Sequence, residues 1–337
     1  MTRAALALLV GAALALRGPV ASASEVARRR VPIAWTNARP AQPYVTLRIG
    51  GAETRALLDT GASDHVIALD FVEDAQLPTV AIRAQGVDHG AGSMHLRGLA
   101  HAEASISGWG PLEANLVAAR DGLAYAVATV HPRFRELGLG AFVSPQRLVM
   151  PGHAIVVDLA RSELLEVPLA YARATLEARG AVALFTGGAS ACLHGAGPRV
   201  GVTWMTDALV EGAHAKLLVD TGAAFGDLFR DSQIGRALLT REGAADALVT
   251  AGRSLESSRV EGLTLRVGDV LRTGLRWNLV ESQGKPVCAY DGVLAIDVLR
   301  RCALAFDGRS IAGRCAEDAS AAQPPKKGAR PKKRRSK

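Results

Sequence analysis

Much that would assign this chain quickly is missing from it. It has four cysteines in 337 residues, too few for a minimal disulfide scaffold, and its length suits one large domain or two ordinary ones around a sizeable core. No apolar run spans a bilayer comfortably; the longest, residues 4–16, has thirteen residues. The 35 glycines follow no triplet period, which excludes collagen-like structure. There is no HExxH or Cys-His ligand spacing, and His89, His95 and His101 read as surface or hairpin residues rather than zinc ligands. Gly187-Gly188-Ala189-Ser190 and Gly195-Ala196-Gly197 lack the P-loop lysine and the full dinucleotide fingerprint. No Gly-x-Ser-x-Gly elbow supports a serine hydrolase. An apolar fraction of 49% with 21% charged residues excludes a wholly disordered chain.

The formal charge of +8 is badly distributed for nucleic-acid binding. Residues 323–337 hold eight Lys or Arg and no acid, and residues 1–23 hold Arg3 and Arg17 and no acid. What remains, 24–322, has 30 basic and 32 acidic residues and is near neutral. The tail, 321–337, has no apolar periodicity and is expected to be disordered. It reads either as a solvated tail without a dedicated partner or as a weak contact to an anionic surface.

At the other end, Arg3, the apolar run 4–16, the break at Arg17-Gly18-Pro19 and the small residues Ala21-Ser22-Ala23 match a secretory signal peptide over 1–23. An uncleaved anchor is the competing reading. The expectation is an exported protein, periplasmic or secreted, with no transmembrane segment once mature. Export makes disulfides the expected state of the cysteines. If Gly308-Arg309 is a two-residue hairpin turn, Cys302 and Cys315 face each other at a non-hydrogen-bonded pair, where side chains approach closest. Cys192 and Cys288 then pair by elimination.

The informative feature is a repeat. Residues 44–67 and 200–224 each contain an alternating strand, a turn, a second apolar strand and then Asp-Thr-Gly-Ala, beginning at Asp59 and at Asp220. A second echo follows each. Leu137-Gly138-Leu139-Gly140 leads to an apolar strand, Asp158, a turn and another strand, and Asp291–Asp297 leads to the same series around Asp307. The spacing predicts mostly short strands with Gly-rich turns, a helix within 231–248, a short one at 297–301, and a connection between halves over 162–182. The expected class is mainly β, two pseudo-symmetric barrel-like lobes with a cleft between them, divided as 24–165 and 166–320.

One Asp-Thr-Gly is a weak motif, since an Asp-rich turn after a strand explains it. Two copies with matched flanks are not explained by turn chemistry. Leu57-Leu58 and Leu218-Val219 end buried strands, and Gly61 and Gly222 allow backbone to approach backbone. A pseudo-two-fold axis would set Asp59 and Asp220 face to face at about 3 Å, sharing one proton. Thr60 and Thr221 would hydrogen-bond across the axis. A water between the carboxylates would be activated by the charged one while the protonated one polarises a carbonyl oxygen.

The chain therefore resembles a bilobal aspartic peptidase of the pepsin type. Ala56-Leu57-Leu58-Asp59-Thr60-Gly61-Ala62 is closer to the retroviral-type branch, and Val293-Leu294-Ala295-Ile296-Asp297-Val298-Leu299-Arg300 with Phe306-Asp307 is similar to the closing run of the pepsin-type second lobe. The resemblance implies the pepsin-type acid protease fold, hydrolysis of a polypeptide substrate by the Asp59–Asp220 dyad, and no metal or organic cofactor. The expected functional state is a monomer. It also implies a flap over the cleft, for which the candidate is the hairpin tip Gly90, Ala91, Gly92 and Ser93; an ordinary hairpin turn is the alternative. Ala62 and Ala223 stand where pepsin-like enzymes carry a hydroxyl donor, so the dyad is expected to titrate higher and the pH optimum to be less acidic than pepsin's. Ala295 replaces the family's usual glycine. Arg28-Arg29-Arg30 reads as a processing site or a solvated basic cluster. A non-catalytic member of the same fold, binding peptide, protein or glycan in its cleft, is the rival from another class. A third reading makes the tail the functional element.

Overall fold

The computed structural model describes residues 27–87, 93–112, 124–185, 189–194, 201–282 and 288–316. The leader and the basic tail lie outside the described residues. Among those described, the strands form three sheets of six, ten and eight strands.

Each lobe is built by the same local logic. Pro43–Ile49 alternates buried and less buried positions, and Gly50 and Gly51, both at positive φ, turn it into Ala52–Leu58 with Ile49 opposite Ala52. In the second lobe Gly201–Val210 turns through Glu211 and Gly212, again both at positive φ, into Ala213–Val219 with Val210 opposite Ala213. Two successive positive-φ residues are what a twist-matched two-residue hairpin needs. The strand that leads to each aspartate is then flanked by a parallel strand from far along the chain. Leu139–Val143 lies parallel to Ala52–Leu58 and antiparallel to Val66–Ala68. Gly292–Leu294 lies parallel to Ala213–Val219 and antiparallel to Asp227–Phe229. The repeat read from the sequence is thus a repeat of topology. Aliphatic side chains from both lobes merge in one core, from Val45 and Leu58 to Leu217 and Leu294.

The six-stranded sheet joins the halves. The hairpin His153–Asp158 with Glu163–Pro168 and the hairpin Cys302–Phe306 with Ile311–Cys315 pair directly, Ile155 opposite Phe306 and Asp158 opposite Ala303. Those hairpins are the second echo of the sequence. Cys302 faces Cys315 as the turn geometry predicted, with Cα atoms 3.9 Å apart, and Cys192 is bonded to Cys288. The hydrogen bond from Ala316 N–H to Arg301 C=O makes the neighbouring 302/315 pair the closely spaced, non-hydrogen-bonded kind.

Three expectations change. The helix within 231–248 is confined to Gln233–Leu238, capped by the Ser232 hydroxyl on Gly235 N–H. A short 3-10 turn follows, and Gly243 then bonds Arg259 C=O, so that Ala245–Val249 pairs as a strand instead. Tertiary pairing overrides a helical spacing that only its first turns satisfy. Residues 162–182 are more than a connection. The strand Glu163–Pro168 lies between Arg29–Pro32 and His153–Asp158, in a sheet that also takes in Cys302–Phe306 and Ile311–Cys315. Arg28-Arg29-Arg30 is partly exposed but paired rather than free. Arg29 and Arg30 begin the edge strand Arg29–Pro32, with Arg28 and Arg29 against the buried Glu166 and Arg30 on Glu163. That places the would-be processing site in a paired strand.

Under this sheet lies an ion pair removed from water, Arg179 Nε to Asp158 Oδ2 at 2.8 Å, with Arg179 only 2% exposed at its side chain. Burial pushes the Asp158 carboxyl up, against the opposing pull of the Arg161 N–H and then of Arg179. Arg179→Met removes that carboxylate's buried ion partner and leaves it only the Arg161 N–H on Oδ1. The expected loss is about 3–5 kcal/mol, read as a lower urea midpoint near pH 7, where a surface pair would lose no more than about 1.

Candidate active site

The two aspartates sit where the parallel strands hand over their backbone. Asp59 N–H bonds Val143 C=O at 2.9 Å, and Asp220 N–H bonds Leu294 C=O at 3.0 Å. Each is the first residue past a strand buried on its lobe's core, so each carboxylate emerges at the inner rim. Thr60 and Thr221, fully buried, lock the rims together. Thr60 N–H reaches Thr221 Oγ1 at 3.2 Å and Thr221 N–H reaches Thr60 Oγ1 at 3.0 Å. The hydroxyls donate onward to Val219 C=O at 2.8 Å and Leu58 C=O at 2.6 Å, in each case on the opposite lobe. This is the cross-axis bonding anticipated from the motif.

The glycines show how close the two turns are. A methyl group on Gly61 would stand 2.6 Å from Asp220 Cγ and Oδ2, and one on Gly222 would stand 2.7 Å from Asp59 Cγ. Each carboxylate thus rests on the other turn's glycine, in space that only a hydrogen leaves open. Asp59 Oδ1 accepts Ala62 N–H at 2.9 Å, and Asp220 Oδ1 accepts Gly222 N–H at 2.7 Å and Ala223 N–H at 3.1 Å. Withdrawal from water, then the charge of Asp220 and a hydrogen bond to it, push the Asp59 carboxyl well above the usual carboxylate range, against the lowering pull of the Ala62 and Gly61 N–H groups. Two such groups titrate as a pair, with one proton between them over a span of pH.

The surroundings differ between the lobes. Beside Asp59, His65 is buried and its Nδ1 accepts Ser144 N–H at 3.1 Å; burial and then Arg147 lower its pKa from the ordinary 6.5 to about 3. The corresponding place after Asp220 is Gly226, against which the Trp277 indole packs. Trp277 donates from Nε1 to Asp297 Oδ2 at 3.0 Å, and burial raises Asp297 from the ordinary 3.8 to about 6. Ala295 is fully buried at the end of its strand.

The arms of the candidate flap are present. Thr79–Val87 and Ser93–His101 pair antiparallel, with Val87 opposite Ser93. Gly90, Ala91 and Gly92 lie outside the described residues. Among the described residues, no group of three or more His, Cys, Asp or Glu side chains could hold a metal ion, and no helix is long and apolar enough to cross a membrane.

Two residues at this site escaped the sequence reading. Gln42 donates from Nε2 to Gly222 C=O, and Gln146 donates from Nε2 to Ala62 C=O at 2.7 Å, Val202 C=O at 2.9 Å and Thr60 C=O at 3.2 Å. Neither belongs to a motif. Gln42 precedes the strand Pro43–Ile49 and Gln146 lies in the 3-10 turn Pro145–Leu148, so only the folded chain brings them to the two turns.

Residues 45–121 match the family model described as Aspartyl protease, a segment that includes Asp59 and both flap arms. Comparison with curated proteins finds no match. Among solved structures, the chain is similar to the aspartic proteinase from Irpex lacteus at 10% identity and a TM-score of 0.46, over 85% of this chain and 97% of that one. The first motif thus lies inside a segment that matches an aspartyl protease family model, and the strand pairing around it is repeated around the second motif.

Proposed function

We propose that this chain is an exported aspartic endopeptidase with Asp59 and Asp220 as its catalytic pair. The observation that carries the reading is reciprocal: each carboxylate lies on the glycine of the opposite motif, so two groups 161 residues apart form one site. At a pH where the pair holds one proton, the ionised carboxylate takes a proton from a water as it attacks the peptide carbonyl carbon. The protonated carboxyl hydrogen-bonds the carbonyl oxygen and stabilises the negative charge that develops there. Collapse of the tetrahedral intermediate returns a proton to the leaving amine. The threonine lattice holds both carboxylates during this exchange, so little reorganisation is needed in the transition state. Two disulfides and a leader-like N-terminus support export, since such bonds persist in oxidising compartments.

The test is cleavage of a denatured protein mixture by the mature protein from pH 3 to 7, with and without pepstatin. Asp220→Asn is expected to lower turnover by at least about 10³-fold while the melting temperature stays near that of the parent. Internal fragments would identify an endopeptidase. A folded parent that cleaves nothing at any pH would overturn the reading and leave a cleft-binding protein of this fold.

A further inference from the structure

Resting on the peptidase reading for its consequence but not for its geometry, a second inference concerns what aims the hydrogen bonds at the dyad. The residues that follow the motifs are Ala62 and Ala223, which have no side-chain donor. Donation to the carboxylates comes from the backbone, from Gly61 and Ala62 N–H at Asp59 and from Gly222 and Ala223 N–H at Asp220. Backbone donors in a tight turn point wherever their peptide planes are held. We propose that Gln42 and Gln146 are the positioning residues that hold them, acting through the carbonyls of the same turns.

The connectivity is specific. Gln146 grips the carbonyls of Thr60 and Ala62, which bracket the two N–H groups that face Asp59. Thr60 C=O belongs to the very peptide whose N–H is that of Gly61, so a donor on one end of the plane orients and polarises the other. Gln42 does the same in the second turn. It donates to Gly222 C=O, and the N–H of that peptide is Ala223, which faces Asp220 Oδ1. Both relays read amide N–H to carbonyl, then peptide N–H to carboxylate, and bonds in such a chain strengthen one another. The orientation of both amides follows from their partners: carbonyl oxygens can only accept, so the NH₂ end must face them. Both side chains are held in place. Gln42 and Gln146 are 8% and 9% exposed, Gln42 N–H is bonded to Thr36 Oγ1 at 2.9 Å, and Gln146 also reaches Val202 C=O across the lobe boundary. Both relays start from the first lobe, so the Asp220 turn is tuned by residues outside its own half.

The effect has a sign. N–H groups aimed at a carboxylate favour its ionised form. Removing a glutamine loosens them and moves the dyad's titration upward. The experiment is a ¹³C carboxyl NMR titration from pH 3 to 8 of the parent, Gln42→Met and Gln146→Met, with Asp59→Asn to assign the pair, alongside pH profiles of kcat and KM. In either methionine variant the first apparent pKa of the dyad is expected to rise by about half a unit or more. The acid limb of the rate profile should move with it, so that on that limb kcat falls by about threefold or more while KM changes less. Gln42→Glu donates only as the protonated acid, so it should approach parental behaviour near pH 4 and lose it toward pH 7. Titrations superimposable on the parent's in folded variants would overturn the proposal, and if Gln146→Met does not fold, Gln42→Met decides alone. The two readings fail separately. Shifted titrations in a protein that cleaves nothing would refute the peptidase while sustaining the positioning role, and unshifted titrations in an active enzyme would do the reverse.

Discussion

Gly61→Ala should be folded and nearly inert. A single methyl group there stands 2.6 Å from Asp220 Cγ, a distance that no packed carbon maintains, so the Asp220 carboxylate must swing away or the two turns must part. The turns are not free to part, because the threonine hydroxyls tie each to the other lobe through buried bonds. The carboxylate therefore moves. A displacement near 1 Å between reacting groups costs about 10²-fold in rate, so kcat/KM is expected to fall at least that far. Overpacking adds a destabilisation of about 1–3 kcal/mol. The measurement is kcat/KM beside a thermal melt. A folded Gly61→Ala protein with parental activity would mean that the two carboxylates do not need the contact described here. Gly222→Ala, with its methyl 2.7 Å from Asp59 Cγ, should behave alike, because the site is built reciprocally.

The second large effect is on acid stability and centres on His65. Its folded pKa of about 3 lies below the ordinary 6.5, so the unfolded chain binds the extra proton between those values. Stability from this group is complete above pH 6.5 and falls as the pH drops toward 3, by about 1.4 kcal/mol per unit and about 4–5 kcal/mol in all. Once protonated, Nδ1 can no longer accept Ser144 N–H, the bond that closes the first lobe's turn beside Asp59. Asp297 works in the opposite direction. Its pKa is raised from 3.8 to about 6, so its contribution is complete below 3.8 and is lost as the pH rises through 6, about 3 kcal/mol. Between pH 4 and 6 the two slopes nearly cancel. Below about pH 4 the slope from Asp297 has ended, while His65 and the depressed carboxyls of Glu211 and Asp307 still lose stability as the pH falls. The urea midpoint should accordingly fall more steeply with falling pH below about pH 4 than above it. His65→Asn, which keeps an acceptor for Ser144 N–H but carries no proton, should make the drop toward pH 3 markedly shallower. An identical acid limb in His65→Asn and parent would sink this account. The chemistry points the same way: with Asp59 held well above the usual range and no hydroxyl at Ala62 or Ala223, the pH optimum should be less acidic than pepsin's, and a rate maximum below about pH 3 is not expected.

What was legible in the amino-acid order was whatever is local or repeated. Two Asp-Thr-Gly-Ala motifs after paired aliphatics were enough to predict two like lobes, because a buried strand followed by a sharp turn leaves an aspartate at a rim wherever it occurs. The Cys302–Cys315 pairing was readable because a two-residue turn dictates register on both sides of it. The Thr60–Thr221 lattice followed from symmetry alone. What only the tertiary structure decided involves partners distant in sequence and unmarked by type. Ala245–Val249 is a strand because Ser254–Val267 offers it a ladder, whatever its helical spacing. That Arg28 and Arg29 pair with the buried Glu166 was decided by a sheet drawn from both halves. Gln42 and Gln146 have no spacing that betrays them, since a side-chain amide can hold a carbonyl only after the backbone has brought that carbonyl within about 3 Å. Motifs report which groups can react, and the long-range hydrogen bonds that set how those groups are held exist only once the two lobes have closed on each other.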